Sequence, residues 1–193
     1  MQRMYLLGPM LALVLALAAG CKKNDPEATL PPATDEGKNV GGCLIDGVVW
    51  QTSSSHGSVW GGPGTAAVVS KKAGQGFYNV SIILSSGQSS RTIELKCKNT
   101  LGYGRCEFNT TLPPVTSPEP SYAQYRNGAA PGIIGKFTTS PSATGWMDIT
   151  YLDTQKSIIA GRFAFTGQDA VSGREVVISE GRFDTICYYI ELP

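Results

Sequence analysis

Arg91-Thr92-Ile93-Glu94-Leu95-Lys96-Cys97 alternates without a break, Ile93, Leu95 and Cys97 on one side and Thr92, Glu94 and Lys96 on the other. Successive side chains of a strand point to opposite faces, whereas a helix would scatter this pattern around its whole circumference. The stretch is therefore a β-strand with one face in a core and one in water. Upstream, residues 77–84 place Tyr78, Val80, Ile82 and Leu84 on one face, giving a second strand of the same kind. Downstream, Asn99, Gly102 and Gly104 interrupt the pattern before Cys106-Glu107-Phe108 resumes it, which predicts a hairpin joining the strands of Cys97 and Cys106.

The same reading extends to both ends. Asp46-Gly47 between Cys43-Leu44-Ile45 and Val48-Val49-Trp50 is a hairpin signal, since a type I′ turn needs positive φ at both central residues. Further strands are expected over 122–126, 132–138, 145–152 and 156–165, the last two joined tightly through Leu152-Asp153-Thr154-Gln155-Lys156. Pro113, Pro114, Pro118 and Pro120 make 112–120 a crossing loop, because proline removes ladder donors. Near the C-terminus Val176 and Ile178 are inward on even numbers while Phe183, Cys187 and Tyr189 need odd ones, so a bulge at Gly181 is required to restore the phase. No window shows a helical period. The expected fold is all-β: one antiparallel domain over 40–193 with about nine to eleven strands, a two-layer sandwich or flattened barrel, and little or no helix.

Ahead of the domain, Arg3 opens an apolar run over 5–17 that ends in Leu17-Ala18-Ala19-Gly20-Cys21. This is a signal segment closed by a lipoprotein cleavage box, too short for a stable span, with Cys21 offering the thiol for lipidation. Residues 1–20 are then a signal peptide and 21–39 a flexible tether, in which Pro26, Pro31 and Pro32 occur with few large apolar groups. Extended, 22–38 would reach on the order of 55 Å. Of the 16 basic residues Arg3 alone precedes Cys21, and no acid does, so residues 21–193 carry 15 of each sign. That balance leaves no electrostatic footprint for nucleic acid. The lipid itself is the expected membrane partner.

Leu30-Pro31-Pro32-Ala33-Thr34, Glu36-Gly37-Lys38-Asn39 and Gly42-Cys43-Leu44-Ile45-Asp46-Gly47-Val48-Val49-Trp50, with Gly161-Arg162-Phe163-Ala164-Phe165 and Gly181-Arg182-Phe183-Asp184 at the far end, resemble the two ends of a family of Bacteroidota lipoproteins of unknown function. The resemblance implies an outer-membrane location and carries over no catalytic residue. Lys22, Lys23, Asp25 and Glu27 cancel behind Cys21, so they select neither the periplasmic nor the external face. Asp184-Thr185-Ile186 also resembles a short O-glycosylation acceptor pattern of that phylum.

Chemistry is sparsely signposted. His56 is the one histidine and stands in a Ser- and Gly-rich loop with no nucleophile motif. No Cys-x-x-Cys occurs, so no metal and no cofactor is expected. Asp148, Asp153, Asp169 and Asp184 could supply paired carboxylates, but Asp153 and Asp169 occupy turn-like positions where acids serve the backbone. With Cys21 lipidated, four cysteines remain, and the phase of the strands favours Cys97 with Cys106, leaving Cys43 with Cys187 and the first strand beside the last. The expected function is a non-enzymatic binding or accessory module that presents Trp60, Tyr103 and Tyr122 to a glycan, small ligand or envelope protein. The alternative is a lipocalin-like carrier with an apolar cavity inside a closed barrel.

Overall fold

The computed structural model describes residues 25–52, 64–74, 76–86, 91–110, 120–130 and 133–193. Eleven strands follow one 3-10 turn at Pro26–Thr29: β1 Val40–Ile45, β2 Val48–Gln51, β3 Gly64–Lys72, β4 Tyr78–Ser86, β5 Arg91–Thr100, β6 Gly104–Phe108, β7 Tyr122–Ala130, β8 Ile133–Thr138, β9 Gly145–Asp153, β10 Ile158–Asp169 and β11 Glu175–Leu192. They form one sheet in the order β2-β1-β11-β3-β4-β5-β7-β8-β10-β9-β6, and a further β11–β10 pairing closes it on itself. The fold is all-β, a ring of strands around one core. Val80, Ile82 and Leu84 of β4 and Ile93 and Leu95 of β5 meet Met147, Ile149, Ile159, Phe163 and Ile178 there, all nearly or wholly excluded from solvent.

β11 is the strand on which the ring depends. Its first part pairs with β10 on one edge and β1 on the other, and from Cys187 onward it runs parallel to β3. One strand can serve both partners because it is bent: against Gly42 and Leu44, and again against Phe163 and Phe165, it carries one residue more than its neighbour. Glu180 takes φ +53° just before Gly181, so the bulge sits where the change of phase demands it. The Asp46-Gly47 hairpin also forms as expected, with φ +49° and +78°.

Among the strands and cysteines three features depart from the sequence reading. β3 escapes the sequence reading because its first four residues are all buried, so no alternation of polarity marks the strand; its parallel pairing with β11 begins only at the fourth, Ala67. β5 and β6 do not form a hairpin: β5 pairs with β4 and β7, β6 with β9. Gly102 and Gly104, at φ +93° and +91°, carry the chain away from β5 instead of back beside it. Cys97 and Cys106 are nonetheless bonded, with Cα atoms 6.0 Å apart, so the disulfide joins two strands that share no ladder.

The third correction concerns Cys43 and Cys187, which are free and buried. The first strand does lie beside the last, but Val40 faces Asp184, which places Cys187 six positions beyond Cys43, roughly 20 Å along the strand. Burial pushes the Cys43 thiol up to about 12 and the Cys187 thiol up to about 11. Thiolate, the reactive form, is therefore scarce at pH 8. Peptide mapping of non-reduced protein is expected to show the 97–106 linkage alone, with Cys43 and Cys187 alkylated only after denaturation. A 43–187 linkage would contradict this register. Loss of the single bridge is expected to cost somewhat under 3 kcal/mol, the chain-entropy value for so short a loop.

The sequence leads one to expect a free tether over 21–39, and over 25–39 the structure differs. Leu30 is buried, the 3-10 turn is held by Glu27 to Arg182 at 2.9 Å, and Gln51 donates to the Thr29 carbonyl. Asp184, 1% exposed, accepts hydrogen bonds from the Thr34 hydroxyl (2.6 Å) and from the Glu36 and Gly37 amides (3.2 and 2.7 Å). Asn39 accepts from the Thr185 hydroxyl and the Ile186 amide. The segment forms a collar across the outer face of β11. Thr185 is fully buried beneath it, so the folded chain does not present that hydroxyl for glycosylation.

Candidate functional site

One end of the ring holds a cleft of about 290 Å³. The tip of the β1–β2 hairpin, the start of β5, the middle of β7, β8 and the β10–β11 turn all reach it. Ile45, Val48, Phe137 and Val176 form its apolar lining, and Tyr125 stacks on Phe137 with ring centroids 5.9 Å apart. Asp46, Arg91, Asn127, Arg174 and Glu175 supply the polar groups.

The strand pattern dictates two of these. Residue 91 has the same phase as Ile93, Leu95 and Cys97, so Arg91 faces inward at the last position before the ring opens. Its cross-strand partner is Asn127, just as that of Ile93 is Tyr125. Arg91 Nε and Asn127 Oδ1 are both buried and have no hydrogen-bond partner among the described residues. Leaving such groups unpaired costs roughly 1–3 kcal/mol each, a penalty most proteins avoid.

The other polar groups are partly committed. Asp46 fixes the hairpin to β11, its Oδ1 accepting from the Val177 amide at 2.8 Å while its own amide donates to the Val177 carbonyl. Burial raises the Tyr125 phenol above its ordinary range, nearby Arg91 draws it partly back, and Cys43 and Asp46 raise it further. The phenol is thus a neutral donor rather than a base at physiological pH.

Compared with known proteins, the chain matches no family model, no curated protein and no solved structure. The site's own geometry has to carry the reading. The cleft brings polar groups together, but the described residues lining it include no hydroxyl or thiol nucleophile held against a base. Among the described residues no three of His, Cys, Asp and Glu come together as metal ligands.

The aromatic residues expected to bind a ligand are not gathered here. Trp60 lies outside the described residues, as do His56 and Cys21. Tyr103 is exposed at the opposite end of β5 from Arg91, its hydroxyl donating to the Leu152 carbonyl at 3.0 Å. Tyr122 is only 5% exposed: its hydroxyl donates to Glu94 at 2.8 Å and Lys96 Nζ lies 5.6 Å from the ring centre. Long polar side chains cover it, so it offers no stacking face, which corrects the expectation for this residue.

The turn acids behave as backbone caps. Asp153 Oδ1 accepts from the amides of Gln155 and Lys156, and Asp169 Oδ1 from the amide and hydroxyl of Ser172. These bonds, led by the Lys156 amide in the first case and the Ser172 hydroxyl in the second, hold both carboxyls below their ordinary range. Sequence reasoning missed Arg91 and Asn127. Carrying the alternation of β5 one step back from Ile93 puts an arginine on the core face, and that was the available signal.

Proposed function

We propose that this chain is a lipid-anchored envelope protein whose domain binds a small polar ligand in the hairpin-end cleft without transforming it. The observation that carries this reading is the pair of inward groups left unpartnered among the described residues, Arg91 Nε and Asn127 Oδ1. Arg91 and Asn127 are opposed on one antiparallel ladder, which presents a donor and an acceptor to a common ligand, and such pre-organisation reduces the cost of binding. The cleft mixes apolar surface with a few convergent polar groups, as small-molecule sites generally do. The lipocalin-like alternative draws less support, since the space between the walls is occupied by side chains such as Phe108, Met147, Phe163 and Phe183. Anchoring rests on the cleavage box at Cys21 and on the resemblance to Bacteroidota lipoproteins.

Two measurements test the two halves of this reading. In cells fed labelled palmitate, Cys21→Ser is expected to abolish labelling and leave uncleaved precursor. Unchanged labelling would remove the anchor. For the domain, an amide and arginine Nε–H spectrum recorded against a library of polar fragments is expected to show shifts confined to 45–48, 91, 125–127 and 174–176. Shifts appearing instead at Ile82, Ile93, Leu95 and Phe163 upon adding fatty acids would favour the carrier.

A further inference from the structure

We infer that the cleft takes a small carboxylate that carries a hydroxyl or amine donor beside it, recognised jointly by Arg91 and Asn127. This rests on the binding reading above and names its ligand class. The guanidinium is permanently charged and presents its donors in a planar fork that matches a carboxylate. Arg91 has no carboxylate within ion-pair distance among the described residues, although Asp46 and Glu175 line the same cleft. Asn127 Oδ1 is an acceptor only, so the group that meets it must donate.

Register fixes the spacing of the two requirements. Arg91 and Asn127 face each other across an antiparallel ladder, where opposed Cβ atoms stand about 5 Å apart. A ligand satisfying both therefore has its donor within a few bonds of its carboxylate. Its remaining surface meets two environments: the Tyr125–Phe137 stack, which suits the C–H face of a ring, and a rim with one further arginine, Arg174, against Asp46 and Glu175. Without Arg91 that rim is negative by one charge, which favours neutral hydroxyls over a second ionised carboxylate. The volume lies at the lower limit of ligand pockets, about 300 Å³, and so admits one ring rather than a chain.

Titration calorimetry on residues 21–193 with three ring probes separates the requirements: glucuronate has carboxylate and donors, cyclohexanecarboxylate the carboxylate alone, and glucose the donors alone. Glucuronate is expected to bind at least about 10-fold more tightly than either of the others, the effect of one hydrogen bond to a charged group. Arg91→Gln is expected to reduce glucuronate to the affinity of glucose, and Arg91→Lys, which keeps the charge without the fork, to restore it in part. Asn127→Asp is expected to weaken glucuronate by repulsion. Equal affinity for glucose and glucuronate, or an Arg91→Gln protein that melts normally and binds glucuronate unchanged, would overturn the inference. If other fragments shift the cleft resonances while glucuronate does not, the ligand class falls and the binding site stands. If no probe or fragment shifts them, both fall.

Discussion

Gly145→Ala is expected to lower the melting temperature by about 6–12 °C, the largest drop for adding one methyl group to this domain. Gly145 opens β9, opposite Phe165 of β10 and Phe108 of β6. A Cβ at that position would overlap Phe165 Cβ and stand 2.6 Å from both Phe165 Cα and the Ala164 carbonyl oxygen. These are not the far ends of flexible side chains. Relief requires β10 to move, and β10 is held by β9 on one edge and β11 on the other. Overpacking usually costs 1–3 kcal/mol, and a clash with ladder backbone belongs at about 3 kcal/mol. Gly76→Ala is the control, because nothing lies within 4 Å of a Cβ there. It is expected to change stability by less than about 0.5 kcal/mol. Thermal unfolding followed by near-UV circular dichroism separates the two, and equal melting points would mean that β9 and β10 are not in such close contact.

The parts of the fold that were legible in the sequence are those set by neighbouring residues. Alternation over 91–97 gives the strand and its inward face, Asp46-Gly47 gives the first hairpin, and the conflict of phase between Ile178 and Phe183 gives the bulge. What was not legible depends on partners distant along the chain. Nothing local distinguishes a hairpin from the actual path after Thr100, since turn glycines serve either, and only the ladders show β6 on β9. Adjacency of β1 and β11 was expected from a Cys43–Cys187 bridge that does not form; the strands are neighbours, but the pairing of Val40 with Asp184 leaves the two cysteines far out of line, and the one-residue bulge accounts for little of that offset. The cleft was legible in part. Arg91 stands in phase with a core face, but its meaning appears only when Asn127 is placed opposite and Arg91 Nε and Asn127 Oδ1 are found without a partner among the described residues. Tyr122 misled for the converse reason: it is an aromatic on a strand's outward face, covered by the side chains around it.

Asp184→Ala is expected to release the collar and cost about 2–4 kcal/mol. Hydrogen bonds to a charged acceptor are worth roughly 1.5–3 kcal/mol each, and Asp184 receives three, from Thr34, Glu36 and Gly37. The sum overstates the loss. Residues 25–39 are not themselves part of the ring, so once Asp184 is gone they can lift off and satisfy their donors with water. The cost is then capped by the docking energy of the collar: Leu30 returned to solvent, the Glu27–Arg182 pair opened, and Asn39 separated from Thr185 and Ile186. Asp184→Asn keeps one acceptor oxygen and should fall between the two. Hydrogen exchange at the Glu36 and Gly37 amides is the direct readout, and unchanged protection in Asp184→Ala would show that the collar does not depend on this carboxylate. For a chain lipidated at Cys21 the consequence is geometric. With the collar docked, only the stretch from Cys21 to Asp25 separates lipid from domain, about 13 Å when extended, whereas its release lengthens the leash to about 60 Å. The same substitution is therefore expected to move the domain away from a vesicle surface, read as reduced energy transfer between a domain label and lipid dye, while leaving the cleft's ligand affinity unchanged.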